Sequence, residues 1–430
     1  MNAVFLAAVL IAFVVAGYRQ ITVTPAPDAA APMDVLGLAM IDAAKGSVTL
    51  AIGLVGVMAL FLGLMKVAEA GGLLSIIAKT VRPLMVRLFP EVPADHPAMG
   101  AMIMNISANV LGLGNAATPF GIRAMQELDK LNPHKGTATN AMVMFLAINT
   151  SSVTLLPTGV IALRASAGST DPAGILPTTL FATICSTTVA IIAVKLYQRF
   201  TAPPETAADA ADVAEEAQPA ESGTLPAEPS EPYPVWVSAL VLAVVVALIP
   251  VTILYGRAIA PWIIPGLMVT LLGFGALRGV RVYEAFVEGA RDGFDVALRI
   301  IPYLVAILVA VAMLRASGAL ELLITPLGAI TTLFGLPAEA LPMALLRPLS
   351  GSGAYGILAS IIQDPATGPD TYVGYLVSTF QGSTETTFYV LAVYFGAVQI
   401  RRIRHALAAA LTADLAGIVA AVAITAYLFG

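Results

Sequence analysis

The stretch TFQGSTETTFYVLAVYFG at positions 379–396 decides the interpretation of this sequence, because it places an acid inside a long apolar run. Glu385 lies within a cluster of Gln, Ser and Thr, and apolar residues flank the cluster on both sides. If the run crosses a bilayer, an ionisable group in it costs about 2.5–3.5 kcal/mol on insertion scales and normally has a partner and a function. The stretch FLAINTSSVTLLPTG at 145–159 has the same pattern without the acid. The two stretches therefore predict matching parts of a duplicated membrane protein.

Composition supports this class of protein. The chain has 430 residues, of which 58% are hydrophobic and 11% charged, and its mean hydropathy is +0.87. Soluble proteins carry about 25% charged residues. We therefore predict an all-α polytopic membrane protein of the inner (cytoplasmic) membrane, with about nine crossings. The apolar windows are 2–17, 47–65, 138–163, 174–196, 235–255, 261–277, 296–314, 371–398 and 407–428.

The same composition argues against several other functions. The chain has no concentrated basic stretch of the kind that binds nucleic acid, so we expect no nucleic-acid partner. One cysteine and three histidines far apart in the sequence predict neither a metal site nor a cofactor site. No suitably placed base accompanies the serines, so we do not expect an enzyme.

Two segments predict re-entrant hairpins. The first covers 97–119 and contains NISANVLGLGN, which is too rich in glycine and amide side chains for a lipid-exposed helix. Non-helical backbone is tolerated at membrane depth only where protein buries it or where it lines a cavity. The segment LLRPLSGSGAYG at 345–356 takes the same place in the second half.

The order of elements divides the chain into two halves, 1–200 and 233–430, joined by a disordered acidic Pro/Ala linker at 201–232. Asn149–Thr154 of the first half matches Gly382–Thr387 of the second. Matched loops differ in their content of Lys and Arg, which collect on the cytoplasmic side, so each pair prefers opposite sides of the membrane. We therefore predict an inverted-topology repeat, with the linker in the cytoplasm.

Both hairpin tips and both helix breaks are expected at one depth. Hairpin arms of about 11 residues reach roughly 16 Å, about half of the hydrocarbon thickness. In inverted-repeat transporters, unwound backbone and half-helix ends near the midplane bind the solute. The predicted solute-binding residues are Asn105, Asn109, Asn115 and Thr118 (first hairpin), Asn149, Thr150, Ser151 and Ser152 (first break), Arg347, Ser350 and Ser352 (second hairpin), and Gln381, Ser383, Thr384, Glu385 and Thr386 (second break).

Glu385 is the predicted coupling residue, and two interpretations of it stay open. It could carry a coupling proton or bind a cationic or hydroxyl-bearing solute. Alternatively, it forms a permanent structural pair with Arg347, which could equally contact an anionic solute. Asp414 in the last helix is a weaker candidate, because it could pair with a basic group such as His405 or lie near the interface.

Long strings of this sequence resemble known families. Positions 1–200, through HPAMGAMIMNISANVLGLGNAATPFGIRAMQELDKLNP, resemble the spore maturation protein A family. Positions 233–430, through RPLSGSGAYG and STFQGSTETTFYVLAVYFGAVQIRRIRHAL, resemble the spore maturation protein B family. Both are similar to the broader nucleoside-recognition, or Gate, domain family, and this chain differs in having the two fused. The resemblance implies membrane transport or gating, in a family tied to dehydration of the spore core.

We predict a secondary transporter that moves a small polar or charged metabolite through a midplane site, with proton coupling as a further hypothesis. The alternative is a non-transporting membrane scaffold, or a factor of the envelope or of spore maturation. Four polar breaks converging at the midplane favour transport, because a scaffold does not need them. The expected partners are a small-molecule solute and membrane lipid, and a homo-oligomer stays open.

Overall fold

The computed structural model of the chain describes residues 2–22, 30–112, 114–201 and 233–430. The chain is 78% helix, and the described part contains no β-strand. Beyond residue 201, the predicted linker at 201–232 lies outside the described residues. The prediction of an all-helical protein is therefore confirmed.

The described part contains sixteen α-helices, eight in each half. In the first half they are α1 (Asn2–Thr22), α2 (Pro32–Ala70), α3 (Leu73–Leu88), α4 (Pro97–Val110), α5 (Gly114–Lys130), α6 (Asn140–Thr150), α7 (Thr158–Ser166) and α8 (Leu176–Tyr197). In the second half they are α9 (Val235–Leu277), α10 (Val282–Ser317), α11 (Ala319–Thr331), α12 (Leu341–Leu346), α13 (Gly351–Gln363), α14 (Tyr372–Ser383), α15 (Thr387–Gly396) and α16 (Ala406–Phe429). Two short 3-10 turns, Thr332–Phe334 and Ala338–Ala340, lie between α11 and α12.

Several helices have the length and composition of membrane spans. Among the described residues there are four, within Phe5–Thr22, Pro32–Ala70, Leu176–Tyr197 and Ala406–Phe429. A fifth is added if the helix pair Thr325–Phe334 and Ala338–Leu346, which bends by 106°, is one crossing. These helices indicate a multi-pass membrane protein, whereas the number of nine crossings stays a prediction.

The predicted boundaries of four apolar windows are wrong, because the three helices that contain them are longer than the windows. The windows 235–255 and 261–277 belong to the single helix α9, which has 43 residues. The residues between them, GRAIA at 256–260, include no Asn, Asp or Ser that would compete with helical hydrogen bonds. Likewise, the windows 47–65 and 296–314 are only the apolar parts of α2 and α10. At 1.5 Å per residue α9 is about 65 Å long, twice the thickness of a hydrocarbon core.

The helices α2 and α10 pack side by side in opposite directions. Ala59 of α2 lies against Gly293 of α10, where an added Cβ would be 2.6 Å from the Ala59 backbone. Seven residues further along α2, Lys66 forms an ion pair with Glu288, five residues back along α10 (3.4 Å). The close approach at Gly293 brings the two backbones into contact. These two helices, one from each half, therefore run antiparallel.

The two halves share their hydrophobic cores. One cluster of buried residues combines α3–α6 and α8 with α15 and α16 of the second half. The other combines α10, α12, α13 and α14 with α2 and α7 of the first half. Because each core draws on both halves, neither half buries its apolar surface alone.

Both predicted helix breaks are present. The first broken helix consists of α6 and α7, separated by residues 151–157, and the second of α14 and α15, separated by residues 384–386. Each hairpin is a pair of helices with a short tip, α4–α5 around Gly112 and α12–α13 around 347–350. The four polar interruptions predicted from the sequence are thus real interruptions of the helices.

Candidate functional site

Each hairpin tip is hydrogen-bonded to the broken helix of its own half, within the break in the first half and at the start of α15 in the second. In the first half, the Leu155 N–H donates to the Val110 carbonyl (2.9 Å). In the second half, the Phe388 N–H donates to the Pro348 carbonyl (3.1 Å). The sequence match of the two breaks makes positions 155 and 388 equivalent. In both halves a backbone bond therefore joins the hairpin tip to the broken helix.

The first tip depends on a glycine. Gly112 has φ +76°, a conformation that side chains with a Cβ rarely adopt. A Cβ at this position would lie 2.3 Å from the Leu156 carbonyl oxygen of the break. Glycine is thus required both by the turn and by the contact between hairpin and break.

The two broken helices lie antiparallel to each other. The end of α7 meets the start of α14 through an ion pair between Arg164 and Asp370 (3.2 Å). The end of α15 meets the start of α6 through a bond from the Ala138 N–H to the Arg402 carbonyl (3.0 Å). Both contacts join opposite ends of the two helices, so the breaks lie side by side between them.

The two breaks and the two tips surround one cavity. The Glu385 N–H donates to the Thr150 carbonyl (2.9 Å), which joins the breaks directly. A cavity of about 230 Å³ opens beside this bond, between the breaks and the hairpin tips. The polar side chains that line it include those of Asn109, Arg347, Tyr355, Gln381, Glu385 and Thr386.

Arg347 and Glu385 form the charged part of the cavity wall. The guanidinium of Arg347 is buried and donates to the Thr386 hydroxyl (3.0 Å) and to the Thr384 carbonyl. Its Nη2 is 3.7 Å from Glu385 Oε2, and the two side chains are 6% and 48% exposed. Charge-assisted N–H···O bonds are about 2.7–2.9 Å long, so this ion pair is open. Glu385 therefore faces the cavity with capacity to bind another donor.

In the first half, amide side chains join the hairpin to the broken helix. Asn109, which directly precedes the tip carbonyl of Val110, donates to Asn149 Oδ1 in the last turn of α6, next to the first break (2.9 Å). Arg347 directly precedes the tip carbonyl of Pro348 in the second half. In each half, the residue that precedes the tip carbonyl therefore contacts the broken helix through its side chain. The contact is a neutral pair, Asn109 and Asn149, in the first half and a charged pair, Arg347 and Glu385, in the second.

Tyr394 is a functional candidate that the sequence did not indicate. Its hydroxyl accepts a bond from Asn105 Nδ2 (3.1 Å) and donates to Asn149 Oδ1 (3.4 Å). Its ring stacks on Phe145, with centroids 6.0 Å apart. Tyr394 lies on α15, so a residue of the second half joins the first hairpin to the first break. In the sequence it is one aromatic residue of an apolar run.

Most of the remaining predicted residues do not line the cavity. Several bond backbone groups of their own helices: Thr150 and Ser151 donate to the Ala147 carbonyl, Ser383 donates to the Phe380 carbonyl, and Ser350 caps α13 by accepting from the Gly353 N–H. Others lie elsewhere: Ser152 is buried, Thr118 is half-buried in α5 and Ser352 is exposed. The side chain of Asn115 lies outside the described residues. None of these described side chains lines the cavity, and for Thr150, Ser151 and Ser383 the reason is that a short hydroxyl side chain bonds a nearby carbonyl first. That the remaining residues bind a solute stays a prediction.

Asp414 is buried against the start of α15, next to the second break. It is 3% exposed, and its Oδ2 accepts a bond from the Thr387 hydroxyl at the start of α15 (2.6 Å). Its Oδ1 has no partner among the described residues. The alternative partner, His405, forms no hydrogen bond through its ring nitrogens there.

Arg164 is the second buried arginine, and its environment was not predicted. It is 0% exposed and donates to the carbonyls of Pro172, Asp171 and Pro369, while its guanidinium lies 4.2 Å from the centroid of the Tyr375 ring. Arg164 therefore joins the loop that follows α7, the end of the first broken helix, to the loop that precedes α14, the start of the second.

The carboxylate that pairs with Arg164 is stabilised in its charged form. Burial alone would raise the pKa of Asp370, but bonds from Ser169 and Thr170 and the charge of Arg164 outweigh burial and lower it. Burial raises the pKa of the neighbouring Asp171 despite the charge of Arg164. Asp370 is therefore the anionic partner in this cluster.

Comparison with known proteins places this geometry in context. The family model described as "Gate: Nucleoside recognition" matches residues 51–167 and 297–401. Spore maturation protein B of Bacillus subtilis is 46% identical over 167 residues, which cover 39% of this chain and 93% of that protein. Spore maturation protein A of the same organism is 47% identical over 154 residues, which cover 36% of this chain and 79% of that protein. Inner membrane protein YjiG of Escherichia coli K12 is 34% identical over 94 residues, or 21% of this chain and 61% of that protein. No solved structure matches the chain.

Proposed function

The chain belongs to the Gate, or nucleoside-recognition, family, and from that premise we propose that it is a secondary transporter that moves a small polar or charged metabolite through the central cavity. One observation carries this proposal: both hairpin tips and both helix breaks line the same cavity. Transporters bind solutes at such interruptions because unwound backbone and half-helix ends supply polar groups within the membrane.

We propose that the two halves form an inverted repeat. The antiparallel packing of α2 with α10 and of the two broken helices supports it, because elements related by a twofold axis in the membrane plane run in opposite directions. The equivalent backbone bonds at 155 and 388 support it further. Rocking of one half against the other would then expose the cavity first to one side of the membrane and then to the other.

We propose that both hairpins are re-entrant and that the chain resides in the inner membrane, with the linker in the cytoplasm. α4 has 14 residues and α13 has 13, so each is about 20 Å long, short of the roughly 30 Å hydrocarbon core. The similarity to an inner membrane protein of Escherichia coli supports this location.

The second candidate function is a membrane scaffold or maturation factor that transports nothing. The names of the Bacillus subtilis relatives favour it, since both are called spore maturation proteins. Such a protein would use the antiparallel halves for assembly and would not need the open ion pair in the cavity.

Proteoliposomes loaded with the purified full chain test the proposal. They are incubated with a mixed pool of small metabolites, and the lumen is analysed by mass spectrometry. We expect the wild type to accumulate at least one polar or charged metabolite and Glu385→Gln to accumulate less. Arg315→Gln is the matched control, because it removes an ion pair with Asp364 that lies outside the cavity. No accumulation of any metabolite would favour the scaffold, and equal accumulation by wild type and Glu385→Gln at every pH would remove Glu385 from the mechanism.

A further inference from the structure

We propose that the solute of the central cavity is a small zwitterion, whose carboxylate binds Arg347 and whose ammonium group binds Glu385. This inference rests on the proposed transport function and deepens it by naming the class of solute. Three properties of the cavity support it: a fixed cation with spare donors, a half-exposed anion beside it, and a small volume.

The guanidinium of Arg347 is anchored and yet not saturated. Its bonds to the Thr386 hydroxyl and the Thr384 carbonyl fix it in the wall of the cavity. A guanidinium has five N–H donors, and the Nε of Arg347 is buried without a hydrogen-bond partner among the described residues. A carboxylate suits this group because it accepts two parallel bonds from the fork of an arginine.

Glu385 makes a solute with a single charge unfavourable. A monoanion bound to Arg347 would leave Glu385 without a counter-charge. A monocation bound to Glu385 would leave Arg347 without one. An uncompensated charge becomes costly once the cavity closes to water. A zwitterion supplies one counter-charge to each of the two groups, which lie 3.7 Å apart.

Gln381 supplies a further hydrogen-bond acceptor for the ammonium group of the solute. Its side chain lines the cavity, and its Oε1 is buried without a partner among the described residues. An ammonium group has three donors and can bond this oxygen as well as Glu385. The polar groups thus favour a donor-rich cationic end beside a carboxylate end.

The volume of the cavity, which is open rather than enclosed, suits a small solute. The cavity of about 230 Å³ has room for about eight water molecules at ~30 Å³ each. Drug-sized ligands occupy pockets of roughly 300–1,000 Å³. A small amino acid such as alanine or serine fits this space, whereas a nucleoside is larger and carries no charge to separate the ion pair.

Ligand-dependent thermal unfolding of the detergent-solubilised full chain tests the solute class. The probes are L-alanine, its two charged fragments propionate and ethylamine, and uridine. Because a ligand that binds only the folded state raises the unfolding midpoint, its dose dependence gives an apparent Kd. We expect L-alanine to bind at least tenfold more tightly than either fragment and uridine to leave the midpoint unchanged. Arg347→Gln and Glu385→Gln should each weaken L-alanine at least tenfold, while Arg315→Gln should not.

The outcomes separate this inference from the transport proposal. Binding of propionate or ethylamine as tight as that of L-alanine would overturn the zwitterion, and so would stabilisation by uridine alone. If no probe stabilises the chain and the proteoliposomes accumulate only metabolites that are not zwitterions, the zwitterion is wrong and the transporter stands. If L-alanine binds as expected but nothing accumulates, the solute class stands and transport is wrong. Because the comparison of the four probes uses the wild type, it holds even if a variant fails to fold.

Discussion

The substitution Gly112→Ala should separate the first hairpin from the first break. An alanine with φ +76° costs about 1–2 kcal/mol for its left-handed conformation. Its Cβ would lie 2.3 Å from the Leu156 carbonyl oxygen, so the tip must also move away from the break. This movement costs about 1–3 kcal/mol for overpacking and about 1 kcal/mol for the nearby bond between Leu155 and Val110. We therefore expect a total loss of about 3–6 kcal/mol.

The assay is thermal unfolding in detergent, with Gly168→Ala as the matched control. Gly168 has φ +79° but no atom within 4 Å of an added Cβ, so its substitution should cost only the conformational part. For a chain of this size, 1 kcal/mol corresponds to about 1 °C in Tm. We expect Gly112→Ala to melt at least 2 °C below Gly168→Ala and to lose solute uptake. Equal midpoints for the two variants would refute the close contact between hairpin and break.

Three further predictions concern the groups that join the two halves. Arg164→Met should lower the unfolding free energy by about 3–5 kcal/mol in a denaturant titration, because it leaves the partners of a buried charge unpaired. The control Arg315→Gln, which removes an exposed ion pair, should lower it by at most about 1 kcal/mol. The pKa of Asp370 is lower in the folded than in the unfolded chain, so its contribution to stability is present at neutral pH and is lost as the pH falls through the folded pKa. The Tm values of the wild type and of Asp370→Asn should therefore converge on acidification. A difference in Tm that stays constant with pH would contradict this assignment. Tyr394→Phe should cost about 1–3 kcal/mol by removing the hydroxyl between Asn105 and Asn149, as measured by Tm, while Tyr389→Phe, at a residue that is 55% exposed, should have almost no effect.

The asymmetry between the halves gives the cavity its chemistry. In the first half Asn109 bonds the neutral amide of Asn149, whereas in the second half Arg347 pairs with the acid Glu385. If transport depends on charge, the second half carries it and the first half supplies a polar wall. Asp414, which bonds Thr387 behind the second break, adds a further acid to the same half.

The places where the helices stop could be predicted from the sequence, because they depend on local chemistry. Helix α4 begins at Pro97 as expected, since proline suits the first turn of a helix. Helices α6 and α14 end at Thr150 and Ser383, within the polar clusters that predicted the breaks. The continuous helix α9 was missed, because a gap in an apolar window is a weaker indicator of a helix end than a cluster of capping residues.

By itself, the sequence determined that this protein is helical, membrane-embedded and interrupted at four polar points, because apolar length and helix-breaking residues act over a few neighbouring positions. Only the tertiary structure decided which polar groups share the cavity. Thr150 and Ser151 turn to a carbonyl of their own helix, while Tyr394 and Arg164 find partners across the boundary between the halves. The orientation of a side chain depends on which donors and acceptors packing brings near it, and for these residues the partners come from more than 200 positions away in the chain.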